Sequence, residues 1–93
     1  MLSSAQRKEL KARAHKLEPV VLIGNKGLTA EVVAEIDRAL KTHELIKVRV
    51  PSLERQQRAE VFSAICEKTG SEPVQQVGKV FVLFRKRDEP APG

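Results

Sequence analysis

The sequence predicts a single α/β domain with the element order helix, strand, helix, strand, helix, strand, strand. Helical spacing of apolar residues alternates along the chain with short runs of β-branched residues, and only Gly78 and Lys79 separate the last two runs. A chain of 93 residues can bury one modest core but not two. We expect residues 1–87 to form the domain and the proline-rich residues 88–93 to be a disordered tail.

The charge balance favours an acidic partner. The formal net charge is +5 and the pI is about 9.7, and nucleic acids and anionic membrane surfaces are the usual partners of such proteins. No apolar run approaches the roughly 18 residues of a membrane span, and no secretory segment is present, so we expect a cytoplasmic protein without a membrane partner. His15, His43 and Cys66 match no metal-ligand spacing; we expect no metal or other cofactor, and a structural role for Cys66.

The first helix is predicted to start after an N-cap at Ser3, with Gln6 completing a capping box, and to run to about Lys16. Leu10, Ala14 and Leu17 share its apolar side, and a neighbouring sector of about 60° holds Lys8, Lys11 and His15. A solvated helix face is the ordinary explanation of such a sector. However, residues 1–18 hold 5 basic and 2 acidic side chains, and so supply +3 of the net charge of +5.

A loop with a glycine at each end, Gly24-Asn25-Lys26-Gly27, follows the first strand. That strand, Val20 to Ile23, is apolar throughout and is expected to be covered on both faces. Two glycines permit positive φ and close approach of a ligand, the next helix starts with free N–H groups, and Lys26 adds a charge. The pattern is typical of a phosphate site, although a purely structural tight turn has the same sequence. It matches neither a P-loop nor a dinucleotide fingerprint.

The second helix is predicted to start after Thr29 and to continue to about Leu40, with Val33, Ile36 and Leu40 buried. Because this helix is net acidic, only its start is expected to contact a nucleic acid. The second strand, Glu44 to Val50, places Lys47 and Arg49 on one face, where they either blunt a sheet edge or bind a ligand.

The remaining elements are assigned structural roles. Ser52 is the predicted N-cap of a third helix that ends at Thr69, with Gly70 after it. Its inward residues are predicted to be Val61, Phe62, Ile65 and Cys66. Strands are predicted from Pro73 to Val77 and from Val80 to Phe84, and the second of these is apolar enough to be central.

Four segments together resemble the CRM domain, named for chloroplast RNA splicing and ribosome maturation, in its bacterial single-domain YhbY-like form. They are residues 10–15, 19–29, 44–48 and 76–85. The resemblance covers roughly residues 2–86 and implies a four-stranded mixed sheet, similar in shape to the C-terminal domain of translation initiation factor three. It also implies RNA binding, with bacterial members associated with precursors of the large ribosomal subunit. The implied RNA-binding residues are Gly24, Asn25, Lys26, Gly27, Lys8, Lys11, His15, Lys16, Lys47, Arg49 and Arg85.

The leading hypothesis is therefore a non-catalytic, monomeric module that binds ribosomal RNA rather than DNA in precursors of the large subunit. There is no Trp or Tyr, and Phe62, Phe81 and Phe84 have core-like surroundings, so recognition of backbone and shape is expected rather than base stacking. The alternative is a protein-interaction domain on the ribosome in which the glycine loop is purely structural. An enzyme is the least supported class, since no nucleophile and base are recognisable.

Overall fold

The computed structural model describes residues 2–86 and has the predicted element order. The elements are α1 (Ser4–Ala14), β1 (Pro19–Leu22), α2 (Ala30–His43), β2 (Leu45–Arg49), α3 (Arg55–Thr69), β3 (Glu72–Val77) and β4 (Val80–Phe84). The sheet order is β1-β2-β4-β3; β1 pairs with β2 in parallel and the other pairs are antiparallel. This confirms the α/β class and the mixed sheet of four strands. The predicted tail, 88–93, and Arg87 before it lie outside the described residues.

The sheet separates two hydrophobic clusters. Helices α2 and α3 cover one face, where the larger cluster includes Ile36, Leu40, Ile65, Phe81 and Leu83, all with 0% exposure. Helix α1 covers part of the other face with a smaller cluster made of Leu10, Ala14, Leu45, Val74 and Val82. None of the three described helices is long and apolar enough to cross a membrane.

Strand β1 is an edge strand, and the prediction that both of its faces are covered was wrong. Val21 is 1% exposed and packs toward α2, but Val20 and Leu22 on the other face are 48% and 66% exposed. The physical reason is the placement of α1, which contacts β2, β3 and β4 but leaves the β1 side of its sheet face open. Leu17, predicted to lie on the buried side of the first helix, follows the end of α1 and is 37% exposed.

Capping by side chains explains where the helices start. The Ser3 N–H donates to Gln6 Oε1 at 2.9 Å and the Gln6 N–H donates to Ser3 Oγ at 3.1 Å, which confirms the predicted capping box. Thr29 is the N-cap of α2, as predicted. Helix α3 starts later than predicted, because its N-cap is Glu54 rather than Ser52.

The helix ends and inward faces differ from the prediction by about one turn or less. Helix α1 ends at Ala14 rather than near Lys16, and α2 continues to His43. In α2 it is Val32, not Val33, that packs against the main cluster with Ile36 and Leu40. Helix α3 ends at the left-handed Gly70, and its predicted inward residues all pack on the main cluster.

The hairpin of β3 and β4 matches the prediction, with Gly78 at a φ of 56° in its turn. β4 is central, since it pairs with both β2 and β3. Pro73 lies in the edge strand β3, where a missing N–H is tolerated, and the register shifts between Pro73 and Gln75. This bulge places Gln75 opposite Val82, on the sheet face that α1 only partly covers.

Candidate functional site

The glycine loop is a tight turn whose first residue is open to solvent. The Gly27 N–H donates to the Gly24 carbonyl at 3.0 Å, and the Thr29 N–H donates to the Gly27 carbonyl at 3.1 Å. Gly27 has a φ of 76°, as a left-handed position requires, whereas Gly24 lies outside that region. A Cβ added to Gly24 would meet nothing within 4 Å. The backbone here is therefore accessible to a ligand, and only one glycine is required by the conformation of the loop.

The start of α2 adds hydrogen-bond donors beside this loop. Thr29 Oγ1 accepts the Val32 N–H at 3.2 Å, and the N–H groups of Ala30 and Glu31 precede any helical acceptor. An open cavity of about 620 Å³ is lined by the loop and this first turn. Lys26 is exposed at the loop and supplies the cation, while the Glu31 carboxylate also lines the cavity and opposes anion binding.

A second cavity brings together three of the predicted site residues. It has a volume of about 310 Å³, lies between α1 and the sheet, and is lined by Lys11 and His15 of α1 together with Lys47 of β2. We call it the α1 cavity. Lys8 lies one turn before Lys11 and extends this basic helix face. Gln75, Val77, Val80 and Val82 form the sheet side of the cavity.

Arg49 links the α1 cavity to the loop. In the pairing of β1 with β2, Pro19 lies beside Lys47 and Leu22 beside Arg49, and the Ile23 N–H donates to the Arg49 carbonyl at 2.8 Å. Lys47 and Arg49 are two residues apart on one strand and therefore share a face, about 7 Å from each other. The cavity, Arg49 and the glycine loop thus follow one another along the parallel strand pair.

Two polar residues on this side of the molecule, Lys79 and Gln75, were not predicted from the sequence. Lys79, in the β3–β4 turn, is exposed, and its carbonyl accepts the Val50 N–H at 2.8 Å, so the turn lies beside the end of β2. Gln75 lines the α1 cavity. The positions of both residues depend on strand pairing, which cannot be read from residue spacing. The one feature of the sequence that could have drawn attention to Lys79 was the Gly78-Lys79 turn.

Lys16 is separate from the other basic residues of the predicted site. It lines a groove of about 550 Å³ together with Arg13, Leu17, Val20 and His43, on the outer side of β1. The structure therefore does not bring Lys16 into the α1 cavity, because the helix ends two residues before it. This groove combines basic and exposed apolar side chains.

Arg85 makes structural contacts within the domain, and its assignment to the RNA-binding residues stays a prediction. Its Nη1 donates to Asp37 Oδ1 and to the Thr69 carbonyl, both at 2.7 Å, and its Nη2 donates to the Asp37 carbonyl at 3.1 Å. The Arg85 hydrogen bond, together with Lys41 at 3.3 Å, holds the pKa of the Asp37 carboxyl below its usual value. The Arg85 side chain is 20% exposed, and its hydrogen bonds join α2 and α3 to the end of β4.

The chemistry of the site is suited to binding anions. Within residues 2–86, no group of three His, Cys, Asp or Glu side chains is arranged to hold a metal ion. The single thiol, Cys66, is half-buried among α3 residues, and burial raises its pKa, which keeps it protonated and unreactive near neutral pH. What the exposed face offers instead is cations, backbone N–H groups and an open glycine.

One family model and several known proteins are similar to this chain. The family model of the CRS1/YhbY (CRM) domain matches residues 2–85. A protein of Haemophilus influenzae named an RNA-binding protein is 44% identical over 88 residues, covering 95% of this chain and 89% of the relative. A Bacillus subtilis protein named a probable RNA-binding protein is 32% identical over 89 residues, covering 96% and 93%. The solution structure of a Staphylococcus aureus protein proposed to bind RNA is 34% identical, with a TM-score of 0.84 and coverage of 96% and 93%.

Proposed function

Because this chain belongs to the CRM (CRS1/YhbY) domain family, we propose that it is a non-catalytic RNA-binding protein. The observation that carries the proposal is the placement of the α1 cavity, Arg49 and the open glycine loop along one strand pair. A nucleic-acid strand is a chain of regularly spaced anions, and a row of cations that ends at free N–H groups is complementary to it.

The loop is proposed to hold the sugar-phosphate backbone. Gly24 lets the backbone approach without a side chain in the way, the N–H groups at the start of α2 donate to a phosphate, and Lys26 contributes charge. Lys47 and Arg49 contact the next phosphates toward the α1 cavity. These contacts position the RNA but carry no sequence information themselves.

The finer proposal is that the RNA is ribosomal RNA in precursors of the large subunit. It is supported by the resemblance of the glycine loop and the first helix to bacterial single-domain CRM proteins. The row of cations suits a structured RNA, whose duplexes are recognised mainly through backbone and shape.

One observation favours a second candidate function, a protein-interaction domain on the ribosome. Val20 and Leu22 are exposed on an edge strand next to the groove that holds Lys16. Exposed apolar side chains beside an open sheet edge are typical of protein-docking surfaces. In this case the loop would be a turn without a ligand.

The test compares two double variants that remove the same charge. Lys11→Ala with Lys47→Ala removes cations of the α1 cavity, and Arg38→Ala with Lys68→Ala removes exposed cations of α2 and α3. We expect the first double variant to bind large-subunit ribosomal RNA fragments roughly tenfold or more weakly, measured by fluorescence anisotropy. The slope of log affinity against log salt, which is negative, should become less negative by roughly 0.7 for each phosphate that no longer has a cationic partner.

The control pair should change affinity by less than about twofold, because its charges lie on the helices that cover the other sheet face. Circular dichroism melts of all variants establish that they are folded. Equal weakening in both double variants would show undirected attraction between opposite charges and contradict the proposed site. Absence of RNA binding by the wild type at moderate salt would favour the protein-interaction function.

A further inference from the structure

We propose that the α1 cavity accepts one unpaired nucleobase, so that the protein reads a base in addition to the RNA backbone. The inference rests on the proposed function and goes beyond it, since phosphate contacts alone give no sequence preference. Four features of the cavity carry it: its apolar floor, the amide of Gln75, the ring of His15 and the position of its two lysines.

The floor of the cavity is an uncovered part of the sheet. Val77 is 55% exposed, and Val80 lies opposite it on β4. Both are on the sheet face where α1 packs, but α1 covers only the part of that face near Leu45 and Val82. The volume of about 310 Å³ is at the lower end of ordinary small-molecule sites, roughly 300–1,000 Å³. The valine floor of the cavity offers an apolar surface against which one face of a nucleobase can lie.

Gln75 supplies the polar group that can distinguish bases. The bulge between Pro73 and Gln75 places its side chain in the cavity wall, and bulges commonly redirect a side chain toward a binding site. Within residues 2–86, no group forms a hydrogen bond with the side-chain amide of Gln75. An amide carries both donors and an acceptor, so it can pair with the edge of an inserted base.

His15 supplies a planar ring at the cavity, although the sequence led us to expect no aromatic platform. The phenylalanine rings are not available for this purpose, because Phe62 and Phe81 stack on each other at 4.4 Å against the main cluster. His15 is exposed and lines the α1 cavity from the helix side. Histidine is among the side chains on which splayed RNA bases stack.

The cations explain how a base would arrive there. Lys11 and Lys47 line the same cavity from α1 and from β2, so both can neutralise the phosphates that flank the inserted nucleotide. From Lys47 the backbone would continue past Arg49 toward the glycine loop. The same strand pair therefore orders a base contact and its neighbouring phosphate contacts.

The experiment is selection from RNA hairpins whose loop is fully randomised, followed by sequencing of the retained RNA. Wild type is compared with Gln75→Ala and with the matched control Gln76→Ala, which removes the same side chain on the opposite sheet face, beside α3. We expect wild type and Gln76→Ala to share a roughly tenfold preference at one unpaired position. Gln75→Ala should lose this preference while keeping the salt dependence of its total RNA affinity.

A second variant at the same position tests the proposal in case Gln75→Ala does not fold. Gln75→Glu keeps the size of the side chain and retains only acceptors, so the preference should change toward bases that present an amino group. If Gln75→Ala and wild type share one preference, or if wild type retains RNA with no preference, the base pocket is refuted and the proposed function stands. If wild type retains no RNA, the proposed function fails and the inference fails with it.

Discussion

The two glycines of the loop have different roles, although the sequence treats them alike. Gly27 has a φ of 76°, where a side chain is strained, and its N–H closes the turn to Gly24. Gly24 is outside the left-handed region and faces open space. A glycine that the backbone does not require, at the position where a ligand is proposed, points to close approach by that ligand as its purpose.

Replacing Gly24 by leucine is expected to separate folding from binding. Gly24→Leu should change the free energy of unfolding by no more than about 0.5 kcal/mol, because the added side chain projects into solvent. Its RNA affinity should fall about tenfold, equivalent to about 1.4 kcal/mol, because the side chain occupies the path of the RNA backbone. Urea unfolding and fluorescence anisotropy measure the two quantities.

Two further variants serve as controls for the Gly24→Leu variant. Ala34→Leu places the same leucine side chain on an exposed position of α2 and should leave both quantities unchanged. Gly27→Ala should destabilise the protein by about 1–2 kcal/mol through strain at positive φ. Unchanged RNA affinity in a folded Gly24→Leu variant would mean that the loop is a structural turn.

The sequence predicted those site residues whose neighbours in the site are also close in sequence. The glycine loop and Lys11 with His15 are recognisable from spacing, since they lie within one turn or one helix face. Gln75 was not recognisable, because a bulge and a strand pairing bring it to the cavity. The structural contacts of Arg85 were not recognisable either, because its acceptors on Asp37 and Thr69 are 48 and 16 residues away in sequence.

At the level of elements, the starts of α1 and α2 followed from local chemistry, but which strand faces are covered by helices did not. The capping residues Ser3 and Thr29 act through neighbours three residues away, so the sequence contains both partners. Whether β1 is covered depends on where α1 packs, and an unbroken apolar run also fits an edge strand beside a ligand surface. Hydrophobicity alone therefore predicted the strand and not its position in the sheet.

The start of α2 leads to a prediction in which stability and binding change in opposite directions. Glu31 lies in the first turn, where its carboxylate stabilises the helix through the dipole but lines the cavity proposed for a phosphate. Glu31→Gln should therefore destabilise the protein by about 0.3–1 kcal/mol. The same variant should bind RNA roughly two to five times more tightly at low salt, because one like-charge repulsion is removed.

Glu67→Gln on α3 is the matched control, since it removes the same charge at an exposed position that does not line the cavity at the start of α2. Its RNA affinity should increase less than that of Glu31→Gln, and the difference should disappear at high salt. Equal increases for both variants would show that only net charge matters and that no phosphate lies at the start of α2.

At the level of the whole molecule, the Arg85 guanidinium connects elements that are distant in sequence. It follows β4, donates to the Asp37 side chain and carbonyl on α2, and donates to the Thr69 carbonyl at the end of α3. The Arg85 backbone N–H also donates to the Glu44 carbonyl at 2.9 Å. The side chain and backbone of Arg85 thus join the end of β4 to α2, to the residue after α2 and to the end of α3.

This connection predicts how stability depends on pH. The pKa of Asp37 is lowered in the folded protein, first by Arg85, so its contribution is complete above the ordinary aspartate pKa and is lost as pH falls through the lowered value. The Asp37 side chain is 37% exposed, so solvent screening limits the contribution to about 1 kcal/mol. The free energy of unfolding of the wild type should exceed that of Asp37→Asn by this amount at pH 7, and the difference should shrink below about pH 4.

Urea unfolding of both proteins over a series of pH values measures this difference. Glu35→Gln, an exposed carboxylate on the same helix, is the control and should show a smaller effect at neutral pH. A difference between wild type and Asp37→Asn that persists undiminished into strong acid would contradict the assignment to the Asp37 carboxylate.

The division of the core into two clusters has a consequence for hydrogen exchange and local opening. Helix α1 is attached through the small cluster around Leu10 and Ala14, whereas α2 and α3 share the larger one. We therefore expect α1 to detach while the sheet stays folded with α2 and α3, so that α1 amides exchange by local opening. RNA that contacts both α1 and β2 would hold this unit closed, so binding and the protection of α1 amides are thermodynamically coupled.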